Sequence, residues 1–324
     1  MLANIARASL FFTALALAGC TDTTLRGVNP NAEKQLPQKI LAEMKAKGMT
    51  RGSPVMARIF KEEGKLEIWK QKSNGRYDLI ADYNICKWSG QLGPKFTEGD
   101  RQAPEGFYTV RPAQMNQWSH YHLAFNIGYP NAYDRAQGRT GSNLMVHGAC
   151  ASAGCYSMTD EQIEQIYAFG RDAFRGGQRE FQIEAFPFRM TAVNMARYRK
   201  DPNYEFWTML KEGYDHFEIT KVPPKVDVCE KHYVFNRTVG SPATFNPIGA
   251  CPPTTQPDSL KIAYQSYQKT YDAAFSTAVG SSAPQPKATI SGPGEAALVS
   301  DWTRKRARGQ PVPFEPPSIA DGEP

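Results

Sequence analysis

Histidine and cysteine are scarce in this chain, five and six among 324 residues, so a site built on imidazole or thiol has few positions to draw on. Beyond the amino terminus no apolar run comes near the roughly 20 residues that a membrane-crossing helix needs, and no transmembrane helix is expected in the mature protein. No internal repeat is present. The hydrophobic share of 41% is low for a wholly compact chain, so part of it is expected to be unstructured. What the sequence has in mild excess is positive charge: a formal net charge of +6 favours anionic surfaces such as peptidoglycan, lipid headgroups or nucleic acid.

The first residues carry one basic side chain, Arg7, and then run apolar over 10–18. That is about half a membrane span and reads as the core of a signal peptide covering 1–19. It closes on Leu17-Ala18-Gly19-Cys20, which resembles the lipobox of bacterial lipoproteins, where cleavage exposes the cysteine for lipidation. Cys20 is therefore expected to carry a lipid anchor. An ordinary signal peptide cut after Gly19 is the alternative, and both readings export the protein. Export argues against nucleic acid as the partner. Residues 20–35 read as a polar tether. Thr21 is not the Asp that retains enteric lipoproteins in the inner membrane, so the expected location is the periplasm, anchored in the inner leaflet of the outer membrane.

An amphipathic helix is expected over 36–47, with Ile40, Leu41 and Met44 on one face and Gly48 as its stop. Runs 55–60, 65–70 and 77–83 are short and rich in branched and aromatic residues, and Asn74-Gly75 between the last two is a strong hairpin signal, so they form a β-meander. Further strands are expected at 106–110, 121–128, 144–147 and 181–186. Thr159 and Gln162 have capping-box spacing ahead of Ile163, Ile166, Tyr167 and Phe174, which predicts a helix over about 160–174. Asp201-Pro202 opens another helix that carries Phe206, Trp207 and Leu210 on one stripe and ends near Gly213. The core is mainly β with flanking helices, an α+β domain over 36–221. Residues 222–275 read as an irregular extension with a short helix at 260–275, and 276–324, rich in Pro, Ser, Ala and Gly, as a disordered tail.

Chemistry concentrates between Met145 and Tyr156. The apolar residues before His147 read as a buried strand that delivers the imidazole to a rim. Small residues follow, as a tight turn needs if backbone N–H groups are to approach a reacting carbonyl. Gly154 leaves the sulfur of Cys155 accessible on one side, and the amino-terminal N–H groups of the helix after Thr159 should lower the thiol pKa. A thiolate, an imidazole and oriented amides are the ingredients of covalent acyl transfer. Cys150 lies in the same turn, nearer to His147, and is the alternative nucleophile. His147, Cys150 and Cys155 are also soft metal ligands, but the fourth ligand of a structural zinc site is not evident, so no metal and no cofactor are expected. His120 and His122, two apart on an expected strand, read as surface or groove residues; His216 and His232 have no constellation around them.

The His147-Gly148 pair followed by Ser152-x-Gly154-Cys155 resembles the signature of the L,D-transpeptidase catalytic domain, also called the YkuD-type domain. Trp88-Ser89-Gly90, Lys95, Glu98-Gly99-Asp100, Asn126-x-Gly128-Tyr129-Pro130-Asn131 and Phe186-Pro187-Phe188-Arg189 are similar to further blocks of its murein L,D-transpeptidase branch, over about 54–221. The resemblance implies a β-sandwich or barrel-like YkuD-type fold, Cys155 as nucleophile, His147 as its base, and amides at Gly154 and Cys155 as the oxyanion hole. Ser152 either orients His147 or is only a turn residue. Tyr129, Tyr133, Asp134 and Arg135 lie in a loop before the catalytic strand, so Tyr129, Tyr133, Arg135 and Gly148 are the candidate substrate contacts; packing on the scaffold is the alternative for each tyrosine.

The implied partner is a diaminopimelate-containing stem peptide of peptidoglycan. An amine acceptor gives transpeptidation and water gives hydrolysis; some members of the branch resemble hydrolases that cut the amide between diaminopimelate and a wall-linked lipoprotein. A catalytically inactive wall-binding lipoprotein is the remaining reading. Two departures from the wider family stand out. Ser157 occupies the place of an Arg two residues after the nucleophile, and only seven residues separate His147 from Cys155.

With Cys20 assigned to lipid and Cys155 to a free thiol, Cys86, Cys150, Cys229 and Cys251 remain in an oxidising compartment and allow three pairings. Cys229 with Cys251 and Cys86 with Cys150 are the expected pairs, and a reduced, buried Cys86 is the alternative.

Overall fold

The structure is a computed structural model and describes residues 27–280, 284–313 and 321–322. The expected signal peptide, Cys20 and the first part of the tether lie outside the described residues. Helix α1 (Gln38–Ala46) leads into the meander β1 (Val55–Phe60), β2 (Lys65–Gln71) and β3 (Tyr77–Asn84), followed by β4 (Lys87–Ser89) and β5 (Gly106–Val110). Next come β6 (Met115–Asn116), β7 (Ala124–Asn126), α2 (Ala132–Ala136), β8 (Met145–His147), β9 (Tyr156–Ser157), α3 (Asp160–Arg175) and β10 (Phe181–Phe186). The remainder is α4 (Ala192–Arg197), α5 (Tyr204–Thr220), the hairpin β11 (Val226–Cys229) and β12 (His232–Phe235), the pair β13 (Thr238–Val239) and β14 (Thr254–Thr255), α6 (Asp258–Val279), α7 (Pro293–Ala307) and β15 (Asp321–Gly322).

Two sheets result, one ordered β3-β2-β1-β10-β5 and the other β15-β4-β9-β8-β7-β6. Each contains one parallel pair, β1 with β10 and β8 with β9. Phe125 of β7 meets Phe181 of β10 edge-on at 5.8 Å, and Ile59, Phe107, Val146 and Tyr156 belong to the same buried core, so the sheets share it. Both sheets are open. The architecture is α+β as expected, but among the described residues no barrel closes, which corrects the barrel-like part of the expectation.

Several elements follow directly from their residues. Thr159 and Gln162 do form a capping box, and α3 buries Ile163, Ile166 and Phe169 on its inner stripe. The strand expected over 121–128 shrinks to β7, because His122 sits at φ +68° and Gly128 at +90°, conformations that leave the extended region at both ends. Helix α5 runs past Gly213, its expected stop, to Thr220. A Cβ at Gly213 would collide with the Phe107 and Phe235 rings, so this glycine serves close packing and not termination.

The expected disordered tail is in part ordered. Ile290, Ala296 and Val299 bury against Phe96, Asn203 Nδ2 donates to the Ile290 carbonyl at 3.0 Å, and Ser300 Oγ donates to the Glu98 carbonyl at 2.6 Å. The composition of this segment is poor in apolar residues, but Ile290 just before α7 and Ala296 and Val299 within it find a partner in the domain. Both expected disulfides form, with Cα separations of 5.4 Å for Cys86–Cys150 and 5.2 Å for Cys229–Cys251.

Where β1 ends and β5 begins lies a buried ion pair. Lys61 and Glu105 are fully buried and 2.9 Å apart; Lys61 also donates to the Gln91 and Ala103 carbonyls, and Glu105 accepts from Trp207 Nε1 and the Gly93 N–H. Burial pushes the Lys61 ammonium below its ordinary pKa, and the Glu105 charge pulls it back up. Glu105→Ala would strand that cation, so chemical denaturation should show a loss of about 3–5 kcal/mol, and a Lys61→Met, Glu105→Leu double variant should recover most of it. A double variant as unstable as the single one would contradict this.

Candidate active site

His147 closes β8 and Cys155 immediately precedes β9, so the β8–β9 pairing sets the two residues on neighbouring chain segments. In parallel register Val146 faces Tyr156 and His147 faces Ser157, and the Met158 N–H donates to the His147 carbonyl at 2.7 Å. Cys155 stands two residues before Ser157, the partner of His147, so the register puts it diagonal to His147 at the start of β9. The Met145 N–H lies 3.4 Å from Cys155 Sγ, and the thiol points at the Asn143 carbonyl at 3.6 Å. His147 Nδ1 lies 2.6 Å from the Gly148 carbonyl. A carbonyl only accepts, so Nδ1 carries the hydrogen and Nε2 presents a lone pair. Among the described residues no hydrogen bond joins the imidazole to the thiol. The ring of Tyr121, half exposed, leans over His147 at 4.6 Å and 36°.

The turn between them is tightly braced. Ala149 and Cys150 adopt φ of +64° and +53°, and Gly154 takes +119°. Two successive left-handed residues other than glycine are costly and persist only where the surroundings impose them. Here the Cys86–Cys150 disulfide, the Cys150 N–H donating to the Met158 carbonyl at 3.2 Å and the Ala149 N–H donating to Asp160 Oδ1 at 2.8 Å do so. Ser152 Oγ accepts the Cys155 N–H at 3.1 Å, donates to the Cys155 carbonyl at 2.6 Å and lies 3.1 Å from Ser89 Oγ. The Gly154 N–H donates to Ser89 Oγ. Ser152 therefore holds the turn and does not touch His147, and the two amides expected as an oxyanion hole are occupied by serine hydroxyls in this state. Cys150, being disulfide-bonded, offers no thiol for attack or for a metal.

Residues 58–175 match the YkuD family, described as the L,D-transpeptidase catalytic domain. Two Escherichia coli strains carry a protein named "Putative L,D-transpeptidase YafK", 48% identical over 186 residues that span 57% of this chain and 75% of that one. The chain belongs to the L,D-transpeptidase family. Among solved structures, the helical cell shape determining protein Pgp2 from Campylobacter jejuni is similar at 18% identity and a TM-score of 0.33, over 58% of this chain and 79% of that one. Bd1075 of Bdellovibrio bacteriovorus is similar at 15% identity and a TM-score of 0.31, over 59% and 89%.

Within this L,D-transpeptidase domain the expected substrate contacts fall elsewhere. Tyr129 is buried and its hydroxyl donates to the Lys95 carbonyl at 3.2 Å; Tyr133 is buried and stacks on Tyr233 at 4.4 Å. Arg135 is exposed and folds back onto the Pro130 carbonyl. Gly148 is buried, with no room for a Cβ, which would meet Asp160 Oδ1 at 2.6 Å. Among the described residues no hydrogen bond or ring contact joins Tyr129, Tyr133 or Arg135 to Cys155 or His147, and Gly148 meets the imidazole through its carbonyl; both tyrosines pack as scaffold. His122 is off any strand, paired with Glu164 at 2.6 Å. Tyr121, the aromatic that does meet His147, carries no signal in the sequence, since only the β7–β8 register reveals that its turn abuts the imidazole.

The thiol is not pre-ionised in the way the sequence suggests. Burial pushes the Cys155 pKa up, against the Met145 N–H and the Lys95 ammonium, which pull it down. Burial likewise pushes His147 down, against its bond to Gly148. The α3 terminus gives no help, because Thr159 takes the Gln162 N–H and the Asp160 carboxylate stands beside it. Both shifts favour the uncharged forms of the two side chains. With the thiol pKa raised, iodoacetamide should label Cys155 more slowly at pH 7 than a free cysteine, and the rate should keep rising beyond about pH 9. A rate already at plateau near pH 6–7, followed by intact mass, would reveal a preformed thiolate and contradict this.

Proposed function

We propose that this protein catalyses cysteine-dependent acyl transfer on peptidoglycan stem peptides, with Cys155 as nucleophile and His147 as general base. The observation that carries the reading is the parallel register that sets Cys155 at the start of β9 diagonal to His147, with Nδ1 held by Gly148 so that Nε2 is the basic nitrogen. Nε2 takes the Sγ proton as the sulfur attacks the carbonyl of a diaminopimelate-containing stem peptide. The imidazolium then protonates the departing amine and a thioester remains. An acceptor amine attacks the thioester, returns its proton through His147 and restores the Cys155 thiol.

Developing negative charge on the carbonyl oxygen is what would draw the Gly154 and Cys155 N–H groups away from Ser89 and Ser152, because hydrogen bonds to an ionised acceptor are roughly twice as strong as those to a neutral hydroxyl. The half-buried sulfur and the exposed residues 149–151 beside it favour a second reading, in which water takes the acyl group. The reaction is then hydrolysis, including release of a wall-linked lipoprotein. Under either reading the enzyme is exported to the periplasm and tethered to a membrane by lipid on Cys20.

Full-length protein incubated with purified peptidoglycan is the test. Cys155→Ala should reduce product to background, and His147→Ala should slow formation by roughly 10²–10⁴-fold. Tyr121→Ala should also slow the reaction, through a less firmly oriented imidazole. New diaminopimelate-to-diaminopimelate cross-links in mass spectra mean transfer, and released lipoprotein or its terminal Lys means hydrolysis. Activity undiminished in Cys155→Ala would sink the proposal, and wall binding without product in either form would support an inactive binding module.

A further inference from the structure

The geometry points to Lys95 as a positioning residue whose ammonium, held by Asp100 beside the Cys155 turn, stabilises the thiolate that forms during attack. This rests on the reading of Cys155 as nucleophile. Lys95 is a buried cation, 4% exposed, and its place is fixed from two sides. Its Nζ lies 2.5 Å from Asp100 Oδ1 and donates to the Thr97 carbonyl at 2.9 Å. Asp100, itself fully buried, is fixed by the N–H groups of Phe96, Thr97 and Gln102 at 2.9, 2.9 and 3.0 Å. An ammonium has three N–H bonds. Two are used in this way, and the ammonium also lies 6.0 Å from the centre of the Tyr129 ring.

Two contacts relate that cation to the sulfur. The Lys95 stem passes over Gly141, where a Cβ would stand 2.7 Å from Lys95 Cε and where φ of +153° also favours glycine. Two residues further on, the Asn143 carbonyl faces Cys155 Sγ. On the other side, a Cβ at Gly154 would lie 3.7 Å from the Gln102 carbonyl, so the loop that holds Lys95 also packs on the residue preceding the nucleophile. Ser157, in the place of an Arg, brings no charge and donates to the Lys87 carbonyl at 2.7 Å. The raised resting pKa of the thiol makes such a charge useful, since the proton that moves to His147 leaves an anion in a desolvated place.

The test is the pH dependence of Cys155 alkylation by iodoacetamide on the full chain, read by intact mass beside steady-state kinetics on peptidoglycan. Lys95→Met should move the alkylation midpoint up by about one unit, equivalent to roughly tenfold less thiolate well below the midpoint, and lower kcat about tenfold with KM unchanged. Lys95→Arg, which keeps the charge, should leave the midpoint within a few tenths of a unit, roughly the scatter of the measurement. Asp100→Asn removes the counter-charge and should move it the opposite way, an outcome that a merely structural role would not produce; if Lys95→Met does not fold, this variant and Lys95→Arg decide. An unmoved midpoint in Lys95→Met, or in Asp100→Asn, overturns the proposal, and so does a raised KM at constant kcat, which would make Lys95 a substrate contact. Should Cys155→Ala remain active while Lys95→Met still shifts the alkylation profile, the nucleophile assignment fails and the charge effect stands.

Discussion

The parallel pairing of β8 with β9 is the constraint on which the site depends. Parallel neighbours ordinarily need a crossover of a dozen or more residues, whereas residues 148–155 close this one alone. So short a return is possible because both strands are only two or three residues long, and because Ala149, Cys150 and Gly154 accept left-handed backbone. The disulfide to Cys86, the Ser89 and Ser152 hydroxyls and the Asp160 carboxylate hold the turn in that conformation. Loosen the turn and the sulfur loses its register with the imidazole.

The electrostatics of the resting site follow from the same compactness. Folding the turn against the 95–102 loop buries the thiol enough to favour its neutral form, and it satisfies the neighbouring amides with hydroxyls. Under the proposed mechanism the charges would arise only as a carbonyl is attacked, and the two amides would then exchange their serine partners for the developing oxyanion.

Around this centre, the rest of the domain is support. The first sheet and α3 supply the packed floor, the Lys61–Glu105 pair ties β1 to the loop that precedes β5, and the chain after 280 adds α7 and β15 along the side where the 95–102 loop lies. That last segment shows how a composition dominated by Pro, Ser and Ala can still be ordered, provided that three apolar side chains meet one aromatic ring.

Sequence by itself determined the α+β class, the meander and the capping box of α3, and pointed by resemblance to the family and to His147 and Cys155 as the candidate pair, while it left the disulfides as one choice among three. Those rest on local signals: alternation, turn chemistry, fixed spacing and a small-residue turn between a histidine and a cysteine. Only the tertiary structure decided what surrounds them. Tyr129 and Tyr133 look like groove residues in a loop, yet they are scaffold because their rings pack on Lys95 and Tyr233 from distant segments. Ser152 braces its own turn, Tyr121 reaches His147 through strand register, and Gly213 passes inside a helix because two rings crowd it. Ionisation of the thiol was decided there too, since a pKa depends on burial and on charges brought near by folding, and neither is written in the spacing of residues along a chain.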